Sequence, residues 1–229
     1  MLKYYEGTVF NAQTQTMVNT VNCTGVMGAG IALEFAMRYP QLLEDYKQKC
    51  EKKEIMVGKV DYFNAGDRLI INFPTKWHFK YPSKLEWIEK GLKSFVQTYK
   101  QYGIESVAFP KLGTLNGGLA WEDVRQLMEK YLTDLDIEVI ICLDQKKEAE
   151  GLEYQMLNVL NNIDFIKTKK DFKLKEKQIE ILTKSKPFTR FWKLQQVESI
   201  GITTYERIYK YCYNKVLGVN QEREQLSFL

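Results

Sequence analysis

Twice in its front part, the chain passes from an apolar segment through a glycine-rich loop into a helix. The first passage has an apolar segment at residues 17–21 and a helical pattern that begins at Gly30 and ends before Pro40. The second has an apolar segment at residues 106–109 and a helical pattern that begins near Trp121. Uninterrupted apolar strands that alternate with helices are typical of a sheet covered on both faces. The sequence therefore predicts an α/β fold.

The same alternation continues along the front of the chain and stops near residue 144. A turn pattern at residues 64–67 predicts a hairpin between two of the strands. The further strands predicted by apolar periodicity are residues 60–63, 69–73 and 138–143, and the further helices are residues 42–53, 85–102 and 121–132.

A charged stretch at residues 145–151 separates this pattern from a mainly helical one. The helices predicted behind the charged stretch are residues 152–161, 174–182 and 204–216. We therefore expect two domains, an α/β domain at residues 1–146 and a small, mainly helical accessory domain at residues 151–229.

Histidine and cysteine are too scarce for the commonest metal and hydrolase chemistries. His78 is the single histidine among 229 residues, and the four cysteines form neither a C-x-x-C pair nor a Cys/His cluster. A Ser-His-Asp triad would need His78, and no G-x-S-x-G nucleophile elbow accompanies it. We expect neither a metal nor a cofactor.

The excess positive charge of the chain lies in its C-terminal part. Residues 147–229 hold 15 Lys or Arg and 11 Asp or Glu, whereas residues 1–146 hold 18 of each, for a net charge of +4. This basic part is expected to face an acidic partner. The chain starts without the apolar stretch of a signal peptide, and its apolar runs are too short to span a bilayer, so we expect a cytoplasmic protein without a membrane partner.

The first glycine-rich loop has the composition of a phosphate site. It contains Gly25, Gly28 and Gly30 directly before a helix, so that backbone N–H groups and the helix dipole can face a pyrophosphate. A tight strand-to-helix turn is the structural alternative, but three glycines exceed what a turn requires. The spacing is neither the dinucleotide-binding G-x-G-x-x-G nor a P-loop.

The second glycine-rich loop, residues 110–121, also connects a strand to a helix. Two such loops in one domain fit a ligand whose two phosphates are held from both sides. An ordinary flexible loop is the alternative here.

A lysine directly behind the strand at residues 69–73 is the candidate nucleophile. Lys76 stands among Phe73, Pro74 and Trp77, which can hold its amine partly desolvated. Desolvation lowers the pKa of an ammonium group and makes the amine usable in nucleophilic catalysis. The alternative is a solvated surface charge.

These three segments, in this order and spacing, resemble the macrodomain family. Within that family they are most similar to the DarG-type branch, antitoxins that remove ADP-ribose from DNA bases after a DarT toxin has attached it. The human terminal ADP-ribose protein glycohydrolase belongs to the same branch. The resemblance covers about residues 1–146 and implies a mixed central sheet between helices, a three-layer α/β macrodomain. The residues that carry it are Asn19, Thr20, Val21, Asn22, Cys23, Gly25, Met27, Gly28, Gly30, Ile31 and Ala32, then Asn72, Phe73, Pro74, Thr75, Lys76 and His78, and then Pro110, Leu112, Gly113, Gly117, Gly118, Leu119 and Trp121.

The resemblance also implies roles for individual residues. Lys76 takes the place of the catalytic lysine, and Asn22 is expected to orient the distal ribose. The residues expected to bind ADP-ribose are Thr8, Val9, Asn19, Thr20, Cys23, Gly25, Met27, Gly28, Gly30, Ile31, Ala32, Pro74, Thr75, Pro110, Leu112, Gly113, Thr114, Leu115, Asn116, Gly117, Gly118, Leu119 and Trp121.

The chain departs from the family pattern at two of these positions. Many macrodomains carry Asp or Asn after the glycine of their first motif, where this chain has Thr8 behind Gly7, so a side-chain grip on adenine is not implied here. The human relative has an aspartate where Gly117 stands. Lys76 is therefore expected to work with Asn22 and backbone groups, without that acid.

The C-terminal part has four interpretations. In DarG-type proteins a C-terminal domain binds the toxin, which would make a DarT-like toxin the partner of residues 151–229. The basic stretch at residues 167–175 would alternatively contact nucleic acid, or would simply be a solvated charge run. Residues 225–229 resemble the short peptides that dock on bacterial sliding clamps.

The sequence thus predicts a monomeric hydrolase that binds ADP-ribose and removes it from DNA, preferably single-stranded. Three alternatives remain open: a binding module that retains ADP-ribose without turnover, a glycohydrolase acting on ADP-ribosylated protein, and a hydrolase of a small ADP-ribose metabolite. Lys76 favours an enzyme, because a binding module needs no lysine at this position.

Overall fold

The computed structural model of the protein describes residues 1–218 and divides into two compact units. Unit 1 is Met1–Gln145, and unit 2 begins at Lys146. The clamp-like peptide predicted at residues 225–229 lies outside the described residues. Along residues 1–218, none of the helices has both the length and the apolar character needed to cross a membrane.

A six-stranded mixed sheet forms the centre of unit 1. Its strands lie in the order β1-β6-β5-β2-β4-β3. All neighbouring pairs are parallel except β3 and β4, which form the predicted antiparallel hairpin. The strands are β1 (Leu2–Tyr5), β2 (Thr16–Val21), β3 (Asp61–Asn64), β4 (Leu69–Pro74), β5 (Ser106–Pro110) and β6 (Glu138–Cys142).

Helices cover both faces of this sheet because its strands are apolar on both sides. In β2, Met17 faces the helices within residues 30–51, whereas the next residue, Val18, faces the helices at residues 85–98 and 121–132. Full burial of each such side chain contributes about 1.5–3 kcal/mol. The predicted three-layer α/β arrangement is confirmed. The helices of unit 1 are α1 (Gly30–Arg38), α2 (Pro40–Glu51), α3 (Leu85–Thr98), continued by a 3-10 turn at Tyr99–Tyr102, and α4 (Trp121–Leu132).

The direction of the strands determines where a ligand can bind. Five of the six strands are parallel, so β1, β2, β4, β5 and β6 all end at the same edge of the sheet. Both glycine-rich loops and the loop that carries Lys76 begin at this edge. Crevices at the carboxyl ends of parallel strands are the usual ligand sites of such sheets.

Unit 2 is helical, as the periodicity of its sequence predicts. Its helices pack around buried side chains that include Met156, Leu182 and Ile208. A buried ion pair joins Arg190 to Glu153, with 3.0 Å between Nε and Oε1. It connects the helix at residues 151–162 to the residue that precedes the 3-10 helix at residues 191–196. The helices of unit 2 are α5 (Gly151–Asn162), α6 (Lys169–Phe172), α7 (Glu176–Lys184), the 3-10 helix Phe191–Gln196 and α8 (Ile202–Leu217).

The basic stretch at residues 167–175 is partly structural. Phe172 and Leu174 are buried in the core of unit 2, and Lys169 forms an ion pair with Glu176. Lys167, Lys170, Lys173 and Lys175 are exposed, so the solvated charge run and the nucleic-acid contact both remain possible interpretations of the lysines, while the apolar residues of the stretch anchor α6.

Candidate active site

Three loops meet at the carboxyl edge of the sheet, one after each of the strands β2, β4 and β5. The backbone N–H of Cys23 donates to the carbonyl of Trp77 at 3.1 Å, which joins the β2 and β4 loops. The N–H of Ser83 donates to the carbonyl of Gly117 at 2.8 Å, which joins the β4 and β5 loops. These bonds hold the glycine-rich segments around the lysine that follows β4.

The first glycine-rich loop ends at an uncapped helix N-terminus. No side chain caps α1, and its first turn contains no acidic residue, so the N–H groups of Gly30, Ile31 and Ala32 present a positive dipole end to the edge of the sheet. Gly30 has a φ of 56°, and a Cβ there would lie 2.8 Å from Nδ2 of Asn116. Glycine at this position therefore lets the two glycine-rich loops pack closely, beside a site suited to an anion.

The second glycine-rich loop is a tight turn rather than a flexible segment. A Cβ on Gly117 would lie 2.3 Å from the carbonyl oxygen of Gly113 and 2.3 Å from Oγ of Ser83, so only glycine fits. The N–H of Leu119 donates to the carbonyl of Gly113 at 3.1 Å and closes the turn. Gly118 follows with a φ of 74° and no atom within 4 Å of a would-be Cβ, which leaves its backbone open to a ligand.

Lys76 is held by two backbone carbonyls inside this edge. Its side chain is largely buried, with Nζ donating to the carbonyl of Asn116 at 2.5 Å and to that of Phe79 at 3.5 Å. Desolvation by burial lowers the pKa of the Lys76 amine from its ordinary value of 10.5. A neutral amine has two N–H bonds and one lone pair, so two carbonyl acceptors leave the lone pair available for attack.

Asn22 organises the β2 loop. Its Nδ2 donates to the carbonyl of Val26 at 2.5 Å, and its Oδ1 accepts the N–H of Thr24 at 2.9 Å. The hydroxyl of Tyr46, from α2, donates to the carbonyl of Asn22 at 2.7 Å. Because both polar ends of the side chain are engaged in the loop, Asn22 is a positioning residue here, and contact with a ribose would require exchanging one of these bonds.

Comparison with known proteins identifies the fold and the family. The Macro domain model matches residues 18–128. The solved macrodomain of Mycobacterium tuberculosis DarG is 43% identical, with a TM-score of 0.61, and the match covers 62% of this chain and 97% of that one. The chain belongs to the macrodomain family.

Two further relatives are much longer than the segment they share with this protein. A DNA ADP-ribosyl glycohydrolase of Mycobacterium tuberculosis is 43% identical over 160 residues, which are 67% of this chain and 46% of that protein. The structure of Thermosipho africanus DarTG in complex with ADP-ribose is 36% identical with a TM-score of 0.60, covering 67% of this chain and 44% of that one. The chain thus spans less than half the length of these two relatives.

Asn19, which was expected to bind the ligand, has a side chain that the structure places in the sheet. Its side chain is fully buried within the sheet of the macrodomain, where Nδ2 donates to Oδ1 of Asn72 at 3.1 Å. Asn72 in turn donates to Asp61 at 3.2 Å. The two asparagines are paired in register on β2 and β4, so the side chain of Asn19 joins two strands and only its backbone is left to meet a ligand.

Other expected ligand contacts also direct their side chains into the core. Val9 and Met27 belong to the apolar cluster under α1 and α2, and Leu112 belongs to the opposite cluster. Only their backbone atoms are left to meet a ligand. The buried members of the predicted set are Val9, Asn19, Asn22, Met27, Ala32, Pro74, Thr75, Lys76, Leu112, Gly113 and Gly117.

The remaining predicted residues are accessible at this edge or next to it. The half-buried ones are Thr8, Thr20, Cys23, Gly25, Ile31, Pro110, Thr114, Leu119 and Trp121, and the exposed ones are Gly28, Gly30, Leu115, Asn116 and Gly118. Within the described part of the chain, no group of three or more His, Cys, Asp or Glu side chains could hold a metal ion.

Sequence reasoning missed two residues that build the site. Ser83 is buried, donates its N–H to Gly117, and has a hydroxyl without a hydrogen-bond partner among the described residues. Tyr46 is fully buried and holds the Asn22 loop through its hydroxyl. The helical spacing of Leu42 and Tyr46, four residues apart, is a signal that could have indicated burial of Tyr46, but no local pattern pointed to Ser83.

Proposed function

We propose that the protein is an ADP-ribosyl glycohydrolase that removes ADP-ribose from ADP-ribosylated DNA, preferably single-stranded. The observation that carries this proposal is the amine of Lys76, buried and held by two carbonyls between two loops suited to phosphates. A Mycobacterium tuberculosis relative that is 43% identical to this chain over 160 residues bears the name DNA ADP-ribosyl glycohydrolase.

The proposed reaction uses Lys76 as the nucleophile. The lone pair of Nζ attacks the anomeric carbon of the distal ribose, and the bond to the DNA base breaks. The base departs with the bonding electron pair and takes up the proton that Nζ loses as it bonds to the carbon. The oxygen of a water molecule then bonds to the same carbon, one proton of that water goes to Nζ as the bond to Nζ breaks, and free ADP-ribose and the neutral amine are released.

The glycine-rich loops would hold the two phosphates during this reaction. The free N–H groups at the start of α1 supply one side, and the backbone of the turn at Gly117 and Gly118 supplies the other. These loops bind the ADP-ribosyl group of the substrate before the reaction and free ADP-ribose as the product afterwards. The proposed chemistry requires no cofactor.

Two alternatives use the same pocket. A binding module would retain ADP-ribose without turnover, but such a module gains nothing from the desolvation of the Lys76 amine, which lowers the stability of the folded protein. A glycohydrolase acting on ADP-ribosylated protein would need the same lysine and differ only in the acceptor.

For unit 2 we propose a protein partner, a DarT-like toxin. In its basic stretch, Lys169 is paired with Glu176. This pair offsets one of the positive charges that would otherwise face DNA. The solved Thermosipho africanus relative bears the name DarTG.

Parallel incubation with ADP-ribosylated single-stranded DNA and with an ADP-ribosylated protein tests the proposal. We expect ADP-ribose to be released from the DNA. Release from the protein alone would contradict the DNA assignment, and tight binding of ADP-ribose without release from either would identify a binding module.

A further inference from the structure

The loop that carries Lys76 exposes three large aromatic side chains. Trp77, Phe79 and Tyr81 are 54%, 44% and 63% exposed, and we call them the aromatic loop surface. Soluble domains rarely expose several large apolar side chains together, and such a patch marks an interaction site. The proposed hydrolysis gives none of these three rings a role.

The surface is held in place by the loop itself. The N–H of Tyr81 donates to the carbonyl of His78 at 3.1 Å, and Nδ1 of His78 accepts the N–H of Lys80 at 3.1 Å. The ring of His78 stacks on Phe79, with 4.4 Å between centroids and 23° between planes. The ring of His78 also lies 5.3 Å from that of Tyr81, so the rings of Phe79 and Tyr81 are preorganised around His78 for stacking on a flat partner.

The chain segment that carries the aromatic loop surface has only positive charges. No Asp or Glu occurs between Asp67 and Glu86, whereas Lys80 and Lys84 alternate with the aromatic residues. The Nζ of Lys80 lies 5.7 Å from the centroid of Phe79, and Lys80 forms no ion pair within residues 1–218. Rings alternating with amines match the alternation of bases and phosphates along a single strand.

The surface also lies where the acceptor leaves the active site. Nζ of Lys76 is 3.5 Å from the carbonyl oxygen of Phe79, so the attacked carbon would lie directly beside this loop. A nucleotide strand attached to the departing base must therefore pass over the loop or next to it.

We propose that the aromatic loop surface stacks the bases flanking the modified nucleotide in single-stranded nucleic acid, with Lys80 contacting a phosphate. This inference rests on the proposed function and adds the surface that selects a strand over an isolated nucleoside. Stacking is largely independent of sequence, because every base has two flat faces. The flanking bases contribute affinity without specifying the sequence.

Binding without chemistry tests the surface by itself. The full chain is titrated with a labelled, unmodified oligothymidylate, and the dissociation constant is measured by fluorescence anisotropy. Tyr81→Ala and Trp77→Ala should each weaken binding about tenfold, whereas Tyr81→Phe should keep most of the affinity because it keeps a flat ring. Tyr102→Ala is the matched control, a 48% exposed tyrosine at the opposite edge of the sheet.

Turnover then separates the strand from the nucleoside. The value of kcat/KM is measured on an ADP-ribosylated single-stranded oligonucleotide and on the corresponding ADP-ribosylated mononucleoside. Tyr81→Ala should lower kcat/KM about tenfold on the oligonucleotide and leave it within about twofold on the mononucleoside, which has no flanking bases to stack.

The outcomes distinguish this inference from the proposed function. Equal oligothymidylate binding by Tyr81→Ala, Trp77→Ala and the unaltered chain would overturn the inference, whether or not DNA is hydrolysed. A further outcome is that the unaltered chain hydrolyses neither substrate, while Tyr81→Ala and Trp77→Ala bind oligothymidylate more weakly than the unaltered chain. In that case the proposed function fails and the inference about the surface stands. Loss of activity in these variants on ADP-ribosylated protein alone would assign the surface to a protein partner and overturn the inference.

Discussion

At the scale of single residues, the site depends on contacts between positions far apart in the chain. The sequence pointed to Lys76 and to its desolvation, and the structure agrees that the side chain is buried. The sequence could not indicate that the carbonyl of Asn116, 40 residues further along the chain, would accept a hydrogen bond from the Lys76 amine. Trp77, expected to help enclose Lys76, is instead more than half exposed. Distance in sequence explains the difference, because local patterns describe neighbours and not loops that meet at a sheet edge.

The protonation of Lys76 should be visible in the pH dependence of turnover. Burial lowers the pKa of this amine from 10.5, and only its neutral form attacks. We expect log(kcat/KM) to rise with pH with a slope near one and to level off at a pH below 10.5, measured on ADP-ribosylated single-stranded DNA. A flat profile, or one that falls as this amine loses its proton, would argue against an amine nucleophile.

A side chain at Gly28 should block the ligand without unfolding the protein. Gly28 has no left-handed φ, and a Cβ there would meet only Val26, at 3.5 Å. Gly28→Val should therefore melt close to the parent temperature but lose ADP-ribose binding by calorimetry, because the backbone can no longer approach the pyrophosphate.

The control for this substitution is Gly201→Val, in unit 2, where a Cβ also has open space. It should leave ADP-ribose binding unchanged. Normal binding by a folded Gly28→Val variant would make the first glycine-rich loop an ordinary turn.

At the scale of secondary structure, the elements with strong periodicity were predicted well and those without it were missed. The strands β2, β4, β5 and β6 and the helices α2 to α4 lie within a few residues of their predicted bounds. The edge strand β1 was not predicted, because its residues are mostly exposed or half-buried and its partner β6 is more than 130 residues away. In unit 2, α6 was not predicted, because two of its four residues are lysines.

The buried position of α6 gives a stability prediction. Phe172 packs edge-on against Phe165 and Tyr211, with centroid distances of 6.4 and 5.1 Å. Phe172→Ala should lower the free energy of unfolding of unit 2 by about 3–5 kcal/mol, measured by denaturant titration. Ile166→Ala, at a residue that is 74% exposed, should change it by less than about 0.5 kcal/mol. Similar effects of both substitutions would mean that α6 does not anchor unit 2.

At the scale of the whole molecule, the two units should be separable. All three loops of the candidate site and the final strand β6 lie before Gln145, and the solved macrodomain of Mycobacterium tuberculosis DarG is covered to 97% by this part. A chain ending at Gln145 should fold and bind ADP-ribose with the affinity of the full chain. Failure to fold, measured by circular dichroism, would show that the macrodomain depends on unit 2.

The truncated chain also tests the role of unit 2. A protein-binding unit 2 predicts that the full and truncated chains act on ADP-ribosylated single-stranded DNA equally well at low and moderate salt. A DNA-binding unit 2 predicts that the full chain is superior at low salt and loses this advantage as salt rises, because phosphate contacts release counterions.

The measurement that tests the proposed function most directly is release of ADP-ribose from ADP-ribosylated single-stranded DNA by the Lys76→Ala variant beside the unaltered chain. The unaltered chain should release ADP-ribose, and the variant should be slower by about a thousandfold or more while its affinity for ADP-ribose changes only several-fold. Lys76→Arg should fail as well, because a guanidinium stays protonated and cannot attack. Full activity of Lys76→Ala would contradict the assignment of Lys76 as the nucleophile.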